Sequence, residues 1–171
     1  MGIGKGKLVG FLRELDKHLS RKIRIIAVGG TAMTLLRLKI STIDIDLEMD
    51  SEDIREFRKA EKMFAHGMKK IDIFSDGLIF SQQLPDDHVE MAIPIKQGFD
   101  KIDLFALHPV DIVVTKIGRL NPRDMQDIES CIKKYKLSAD DVKKRAKEVE
   151  YVAGRDENYE INLKHVLETI F

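Results

Sequence analysis

The chain has 171 residues, with 29 basic and 29 acidic side chains, so its formal net charge is zero. Hydrophobic residues make up 43% and charged residues 34%, which is typical of a globular domain and excludes a disordered or collagen-like chain. A single cysteine, Cys131, excludes an internal disulfide and a zinc site with several cysteine ligands. The sequence has neither a long apolar run nor a secretory signal, so we expect a cytoplasmic protein without a membrane partner.

The N-terminal part alternates helical and strand patterns. Apolar residues recur at helical spacing over residues 7–19, which predicts an amphipathic helix. Residues 23–28 are rich in β-branched side chains and run into Gly29 and Gly30, which predicts a buried strand followed by a turn. A short helix is then expected over residues 31–38.

Residues 43–48, Ile-Asp-Ile-Asp-Leu-Glu, alternate strictly between apolar and acidic side chains. Period two predicts a half-buried strand, so Ile43 and the alternate apolar residues face the core. The acidic residues Asp44, Asp46 and Glu48 then share the opposite face.

The middle of the chain mixes helical and extended signals. A capped helix is predicted to begin at residue 50 or 51. Residues 71–74 and 78–80 flank Ser-Asp-Gly, which predicts a hairpin. Further strands are expected at residues 89–95 and 101–105.

The C-terminal third is helical in pattern. Pro109 suits a first helical position, Asn121 and Pro122 separate two helices, and Ser138 caps another. A last helix is expected over residues 162–170. Together the elements predict an α+β fold with a mixed β-sheet flanked by helices. Residues 1–108 would form an α/β core with the N-terminal helix, and residues 109–171 a helical C-terminal lobe packed on it.

The acidic strand carries the first chemical signal. Two carboxylates two residues apart, as Asp44 and Asp46 are, lie roughly 6–7 Å apart on one pleated face and can share a cation. Magnesium is usually held by one or two carboxylates together with substrate phosphates. Asp72 and Asp103 each offer a further outward carboxylate on another predicted strand. The alternative is that these acidic residues only face solvent.

The glycine pair upstream carries the second signal. At a strand-to-helix junction, Gly29 and Gly30 let the backbone approach a triphosphate, and the helix N-terminus supplies free N–H groups. Thr31 adds a hydroxyl for the same anion. The alternative is a tight turn or a close contact between strand and helix.

Val-Gly-Gly-Thr-Ala-Met at residues 28–33 and Ser-Thr-Ile-Asp-Ile-Asp-Leu at residues 41–47 together resemble the signature of the nucleotidyltransferase superfamily with the DNA polymerase β-like fold. The likeness is greatest to a small prokaryotic branch, which includes minimal nucleotidyltransferases and nucleotidyltransferase-fold effectors of abortive-infection toxin–antitoxin systems. Many polymerizing members have Ser where this chain has Gly30. The resemblance covers about residues 23–130.

The resemblance implies a nucleotidyltransferase-like sheet in which Asp44, Asp46 and a third carboxylate are catalytic and hold Mg²⁺ or Mn²⁺. Asp72 is the first choice for the third carboxylate, because it follows the helix after the acidic strand, and Asp103 is the reserve. The nucleotide-binding residues implied in this region are Gly29, Gly30, Thr31 and Thr42.

A second stretch supports the resemblance. Residues 109–119 and the following Pro-Arg-Asp-Met-Gln-Asp-Ile at 122–128 look like helical motifs in which a lysine and an Arg-Asp-x-x-Asp segment face the nucleotide. Lys116 and Arg123 would neutralise the triphosphate. Asp124 or Asp127 would orient one of them or bind the acceptor. The alternative is a surface helix with salt bridges.

The resulting hypothesis is a metal-dependent transfer of a nucleoside monophosphate from an NTP to a hydroxyl of RNA or tRNA, a protein or a small molecule. The resemblance further implies a toxin with an antitoxin partner. Residues 116–147 carry 10 basic and 5 acidic residues, which favours RNA. A non-catalytic nucleotidyltransferase-like binding module is the alternative. Metal-dependent phosphoester hydrolysis is a third hypothesis, but the motifs lack a histidine general base.

Overall fold

The structure is a computed structural model that describes residues 2–151 and 157–171. Its strands are β1 (Ile3–Gly4), β2 (Ile23–Ala27), β3 (Ser41–Thr42), β4 (Ile45–Glu48), β5 (Ile71–Phe74), β6 (Leu78–Ile79), β7 (Gln82–Gln83), β8 (Ile93–Pro94), β9 (Ile102–Ala106) and β10 (Glu150–Tyr151). Its helices are α1 (Lys5–His18), α2 (Gly29–Leu35), α3 (Ser51–Glu61), α4 (His88–Met91), α5 (Pro109–Ile117), α6 (Pro122–Tyr135), α7 (Ala139–Glu148) and α8 (Glu157–Ile170). The predicted α+β class with a mixed sheet and a helical C-terminal part is confirmed.

The chain forms two compact units. The first contains the chain up to Asp76 together with Ala92–Ala106, and the second contains Gly77–Met91 and the chain from Leu107 onward. The predicted domains, 1–108 and 109–171, stay a prediction.

A five-stranded mixed sheet forms the centre of the first unit, in the order β5-β4-β2-β9-β8. The β4–β5 and β2–β9 pairs are parallel, whereas β2–β4 and β8–β9 are antiparallel. β-branched residues of β2 and the apolar stripe of α1 supply the buried side chains, among them Ile25, Leu8 and Leu12. β4, which carries Asp46, pairs with both β2 and β5 in this sheet.

Helix α5 forms the centre of the second unit, and all nine of its residues are buried. Helices α6, α7 and α8 pack against it. The predicted starts of α6 and α7 are confirmed by capping boxes, in which Asn121 pairs with Asp124 and Ser138 pairs with Asp141.

Two predicted β elements are wrong. The hairpin at residues 71–80 does not form, because β5 pairs with β4 in one sheet while β6 pairs with β7 in another. Asp76 and Gly77 do adopt positive φ angles of 56° and 73°, so the turn signal was real, but it redirects the chain. The strand expected at 89–95 is helix α4 followed by the short strand β8.

The acidic strand begins later than predicted. Residues 41 and 42 pair with β1, and β4 starts at Ile45, so Ile43 and Asp44 form a bend between two ladders. Ile43 was expected on the core face, but 71% of it is exposed because it lies in this bend.

Within residues 2–151 and 157–171, no helix has the length and apolar character that a membrane span requires.

Candidate active site

Two of the predicted catalytic carboxylates lie on neighbouring strands. Asp46 on β4 is the register partner of Asp72 on β5 in a parallel pairing. Register partners point to the same face of a sheet, and adjacent strands lie about 4.8 Å apart. Asp44 lies two residues before Asp46, and all three side chains are partly accessible. The fold therefore brings Asp44, Asp46 and Asp72 to one edge of the first unit.

Two threonine hydroxyls hold the backbone of the acidic segment. Thr31 Oγ1 donates to the backbone oxygen of Asp44 at 3.2 Å and accepts from the backbone N–H of Asp46 at 2.9 Å. Thr42 Oγ1 donates to the same Asp44 oxygen at 3.0 Å. Because both threonines are buried, these bonds fix the direction in which the acidic segment leaves the bend.

The glycine pair brings helix α2 against the same segment. Gly29 has a φ of 52°, a left-handed conformation that favours glycine. A Cβ on Gly30 would lie only 2.6 Å from Thr42 Oγ1, so a side chain here would clash. The backbone N–H of Val28 also donates to the oxygen of Asp46 at 3.0 Å. The start of α2 and the acidic segment are therefore one tightly packed element.

Lys70 is a site residue that the sequence reasoning missed. Its Nζ lies 2.7 Å from Asp72 Oδ2. The pKa of Lys70 is raised above its ordinary value, mainly by the hydrogen bond and charge of Asp72 and further by Asp44 and Asp46. Lys70 thus lies in the combined field of the three carboxylates. A signal was present in the sequence: a lysine two residues before Asp72 in an extended segment lies on the same face.

The carboxylates do not enclose an ion by themselves. Among residues 2–151 and 157–171, no three His, Cys, Asp or Glu side chains are arranged as a ready metal cluster. The Asp72 carboxylate accepts from Lys70. Magnesium nevertheless prefers oxygen ligands and takes only one or two carboxylates when phosphates supply the rest. Asp46 and Asp72, which are register partners, offer the type of oxygen donor that such an ion takes.

The reserve carboxylate lies elsewhere on the sheet. Asp103 on β9 is the register partner of Arg24 on β2, whereas Asp46 is bonded to Val28 just beyond the other end of β2. Four residues along a strand correspond to about 13 Å, and Asp103 is also two strands away from β4. This register favours Asp72 over Asp103 as the third carboxylate.

The second predicted motif forms an ion network within the second unit. Lys116 is only 4% exposed, and its Nζ lies 2.9 Å from Asp124 Oδ1 and 2.8 Å from Asp127 Oδ2. Arg119 Nε lies 3.0 Å from Asp124 Oδ2. Burial raises the pKa of Asp124, but the hydrogen bond and charge of Lys116 outweigh burial and hold it below its ordinary value. Arg123 is exposed. The two aspartates orient Lys116 and compensate its charge inside the unit.

Comparison with known proteins gives one assignment. No curated protein and no solved structure matches the chain significantly. A family model described as "Nucleotidyltransferase of unknown function (DUF6036)" matches residues 7–170. This range contains the glycine pair, the acidic segment and the Lys116 network, and it extends beyond the region of about 23–130 that the motifs alone covered. The chain belongs to this nucleotidyltransferase family.

Proposed function

We propose that the protein transfers a nucleoside monophosphate from an NTP to a hydroxyl acceptor in a Mg²⁺-dependent reaction. The observation that carries this proposal is the pairing of Asp46 with Asp72 beside the Asp44 bend and the Gly29–Gly30 start of α2. Family membership supports nucleotidyl transfer in general. The metal, the acceptor and the residue roles are our proposal.

In this proposal, Asp44, Asp46 and Asp72 hold Mg²⁺ or Mn²⁺. Such an ion would supply charge neutralisation for the triphosphate and a lowered pKa for the attacking hydroxyl. Thr31 and Thr42 position the backbone of the acidic segment through their bonds to Asp44 and Asp46. Lys70, whose Nζ pairs with Asp72 Oδ2, would give up this carboxylate to the ion.

The resemblance extends the nucleotide-binding proposal to further residues. The backbone N–H groups of Gly29 and Gly30, at the start of α2, would bind phosphate oxygens. The remaining proposed nucleotide-binding residues are Thr31, Thr42, Lys116, Arg123 and Asp127. Thr31 and Lys116 would act mainly as positioning residues, because their polar atoms already bond to neighbouring groups.

For the acceptor, we propose RNA, including tRNA, ahead of a protein hydroxyl or a small molecule. Basic side chains of α6 and α7 support this choice, since phosphate contacts dominate affinity for nucleic acid. We also propose, from the resemblance alone, that the protein acts as the toxin of a toxin–antitoxin pair with an antitoxin protein as its partner.

A non-catalytic binding module is the second candidate. Two observations favour it: Lys116 is buried and compensated by two aspartates, and Asp72 is paired with Lys70. Such a module would bind an NTP or a partner protein without turnover.

The test incubates the protein with labelled NTPs, Mg²⁺ and total RNA. We expect label transfer by the wild type and none by the double variant Asp44→Ala/Asp46→Ala. Asp72→Asn should abolish transfer, while Asp103→Asn, the matched control on β9, should retain it. Transfer that survives the double substitution would contradict the assigned site. NTP binding by the wild type without any transfer would favour the module.

A further inference from the structure

We propose that a basic cleft in the first unit binds the phosphate backbone of a single-stranded RNA acceptor, an inference that rests on the proposed nucleotidyl transfer. The cleft has a volume of about 660 Å³. Its lining includes Lys5, Thr34, Arg37, Lys39, Ile40 and Gln97. We call it the α2 cleft, because it lies at the C-terminal end of that helix.

The charge of the α2 cleft has one sign. Lys5, Arg37 and Lys39 are cationic, and none of the described residues that line the cleft is acidic. A concave surface of one sign focuses its field and attracts ions of the opposite sign. Several cations along one cleft suit a chain of phosphates, because each neutralised phosphate releases bound counterions.

Arg37 occupies a backbone position that normally belongs to glycine. The N–H of Leu38 donates to the oxygen of Met33 at 2.8 Å, and the N–H of Arg37 donates to the oxygen of Thr34 at 3.2 Å. These two bonds form a Schellman motif, whose left-handed residue is usually glycine. Arg37 holds that position with a φ of 59°.

The strain at Arg37 has no internal explanation. Arg37 is exposed, and among the described residues its guanidinium makes neither a hydrogen bond nor an ion pair. A non-glycine residue kept in a left-handed conformation is a signal of function when its own fold does not use the side chain. A guanidinium matches phosphate with two parallel hydrogen bonds and also stacks on bases.

The position of the α2 cleft suits an acceptor rather than the triphosphate. Helix α2 has seven residues, of which the glycine pair is the first two, and its C-terminal end borders the cleft, so the helix is about 10 Å long. Ile40 lines the cleft, is 95% exposed, and leads through β3 toward Asp44. An RNA strand seated on Arg37 and Lys39 would therefore lie close to the acidic segment, with Ile40 offering an apolar contact to a base.

The test measures binding of a short fluorescent single-stranded RNA to the full chain by anisotropy at several salt concentrations. Arg37→Gly should weaken binding several-fold and reduce the slope of log Kd against log salt by about 0.7, the value for one lost phosphate contact. Its unfolding temperature should be equal to or higher than that of the wild type, because glycine suits the left-handed position. Loss of affinity with unchanged or increased stability separates binding from damage to the fold.

Lys62→Gly is the matched control. Lys62 is exposed, carries the same charge and ends α3, and it neither lines the α2 cleft nor belongs to residues 116–147. The substitution should leave RNA binding unchanged. Equal weakening by both variants, or tighter binding of a polyglutamate peptide than of RNA, would overturn the proposal. If RNA binds through Arg37 but no label is transferred, the proposed function fails and the inference stands. If label is transferred to RNA and Arg37→Gly binds normally, the inference fails alone.

Discussion

Lys70 Nζ lies 2.7 Å from Asp72 Oδ2, which places an ammonium group where the three carboxylates of the first unit attract a cation. The ammonium supplies part of the positive charge that a divalent ion would otherwise bring. If the proposed ion binds at Asp72, it would displace Lys70 from this carboxylate.

Removal of the Lys70 ammonium should accordingly tighten ion binding. We expect Lys70→Met to lower the Kd for Mn²⁺, measured with NTP present by the loss of the free-ion signal in electron paramagnetic resonance. Lys69→Met is the control, because Lys69 is an exposed neighbour for which no contact with Asp72 is seen in the described part of the chain. Unchanged or weaker Mn²⁺ binding by Lys70→Met would show that Lys70 supports the nucleotide instead.

The Thr31 hydroxyl should matter both for stability and for turnover. Thr31→Val removes a buried hydroxyl that accepts from the N–H of Asp46 and donates to the oxygen of Asp44, so we expect a loss of about 1–3 kcal/mol in the free energy of unfolding. Label transfer should fall with it, because Asp44 and Asp46 lose their anchor. Urea denaturation and the transfer assay measure the two effects. Thr31→Ser keeps the hydroxyl and should retain most of the stability and most of the label transfer. A Thr31→Ser variant as impaired as Thr31→Val would contradict the positioning role of the hydroxyl.

Gly30 and Thr42 should behave as one coupled pair. The Cβ in Gly30→Ala would meet Thr42 Oγ1 at 2.6 Å, so we expect a loss of about 1–3 kcal/mol from overpacking. Thr42→Ala removes that oxygen and should recover part of the loss in the double variant. A double-mutant cycle of unfolding free energies measures this coupling. If the changes in unfolding free energy of the two single variants simply add in the double variant, the contact with Thr42 Oγ1 is not the reason for glycine at position 30.

Several parts of this fold were predictable because their signals are local. The strict alternation around Asp46 predicted a strand, and Asn121 and Ser138 predicted helix starts that capping boxes confirm. The turn at Gly77 was also predictable from nearby residues, but the strand pairing around it was not. β5 pairs with β4, which lies more than twenty residues earlier in the chain. Strand pairing over such a separation depends on the whole sheet and leaves no mark in a short window.

Part of the candidate site could also be predicted from local sequence motifs, and part could not. The Gly29–Gly30 pair and the Asp44–Asp46 pair are visible as motifs, and the structure packs them together through Thr31. Arg37 could not be found, because the rules for helix ends predict glycine at its position and give no reason to expect arginine. The proposal for Arg37 rests on its left-handed φ angle in the fold, which no sequence pattern indicates.

The ion network around Lys116 should make the free energy of unfolding decrease at low pH. The pKa of Asp124 is lower in the folded protein than in the unfolded chain, where it is about 3.9. The stabilisation that the Asp124 carboxylate gives the fold is therefore fully present above the unfolded-state pKa and is lost as pH falls through the folded-state pKa. Lys116→Met removes the buried ammonium that pairs with Asp124 and Asp127, so we expect a loss of about 3–5 kcal/mol at neutral pH.

The difference in unfolding free energy between the wild type and Lys116→Met should narrow below pH 4, as the carboxylates become protonated. Denaturant titrations across pH measure it. Lys143→Met is the control, because the Lys143–Asp140 pair is exposed and 3.9 Å apart and should contribute at most about 1 kcal/mol. A difference in unfolding free energy between the wild type and Lys116→Met that does not change with pH would contradict the proposed charge pairing.

The central claim is that Asp44, Asp46 and Asp72 converge on one cation. A crystal structure with Mn²⁺ and a non-hydrolysable NTP tests it most directly, because anomalous scattering locates the metal. We predict a metal peak with carboxylate oxygens of Asp44, Asp46 and Asp72 at about 2.1 Å and Lys70 moved away from Asp72. A peak held by other residues, or Asp72 still bonded to Lys70 in the nucleotide complex, would contradict it.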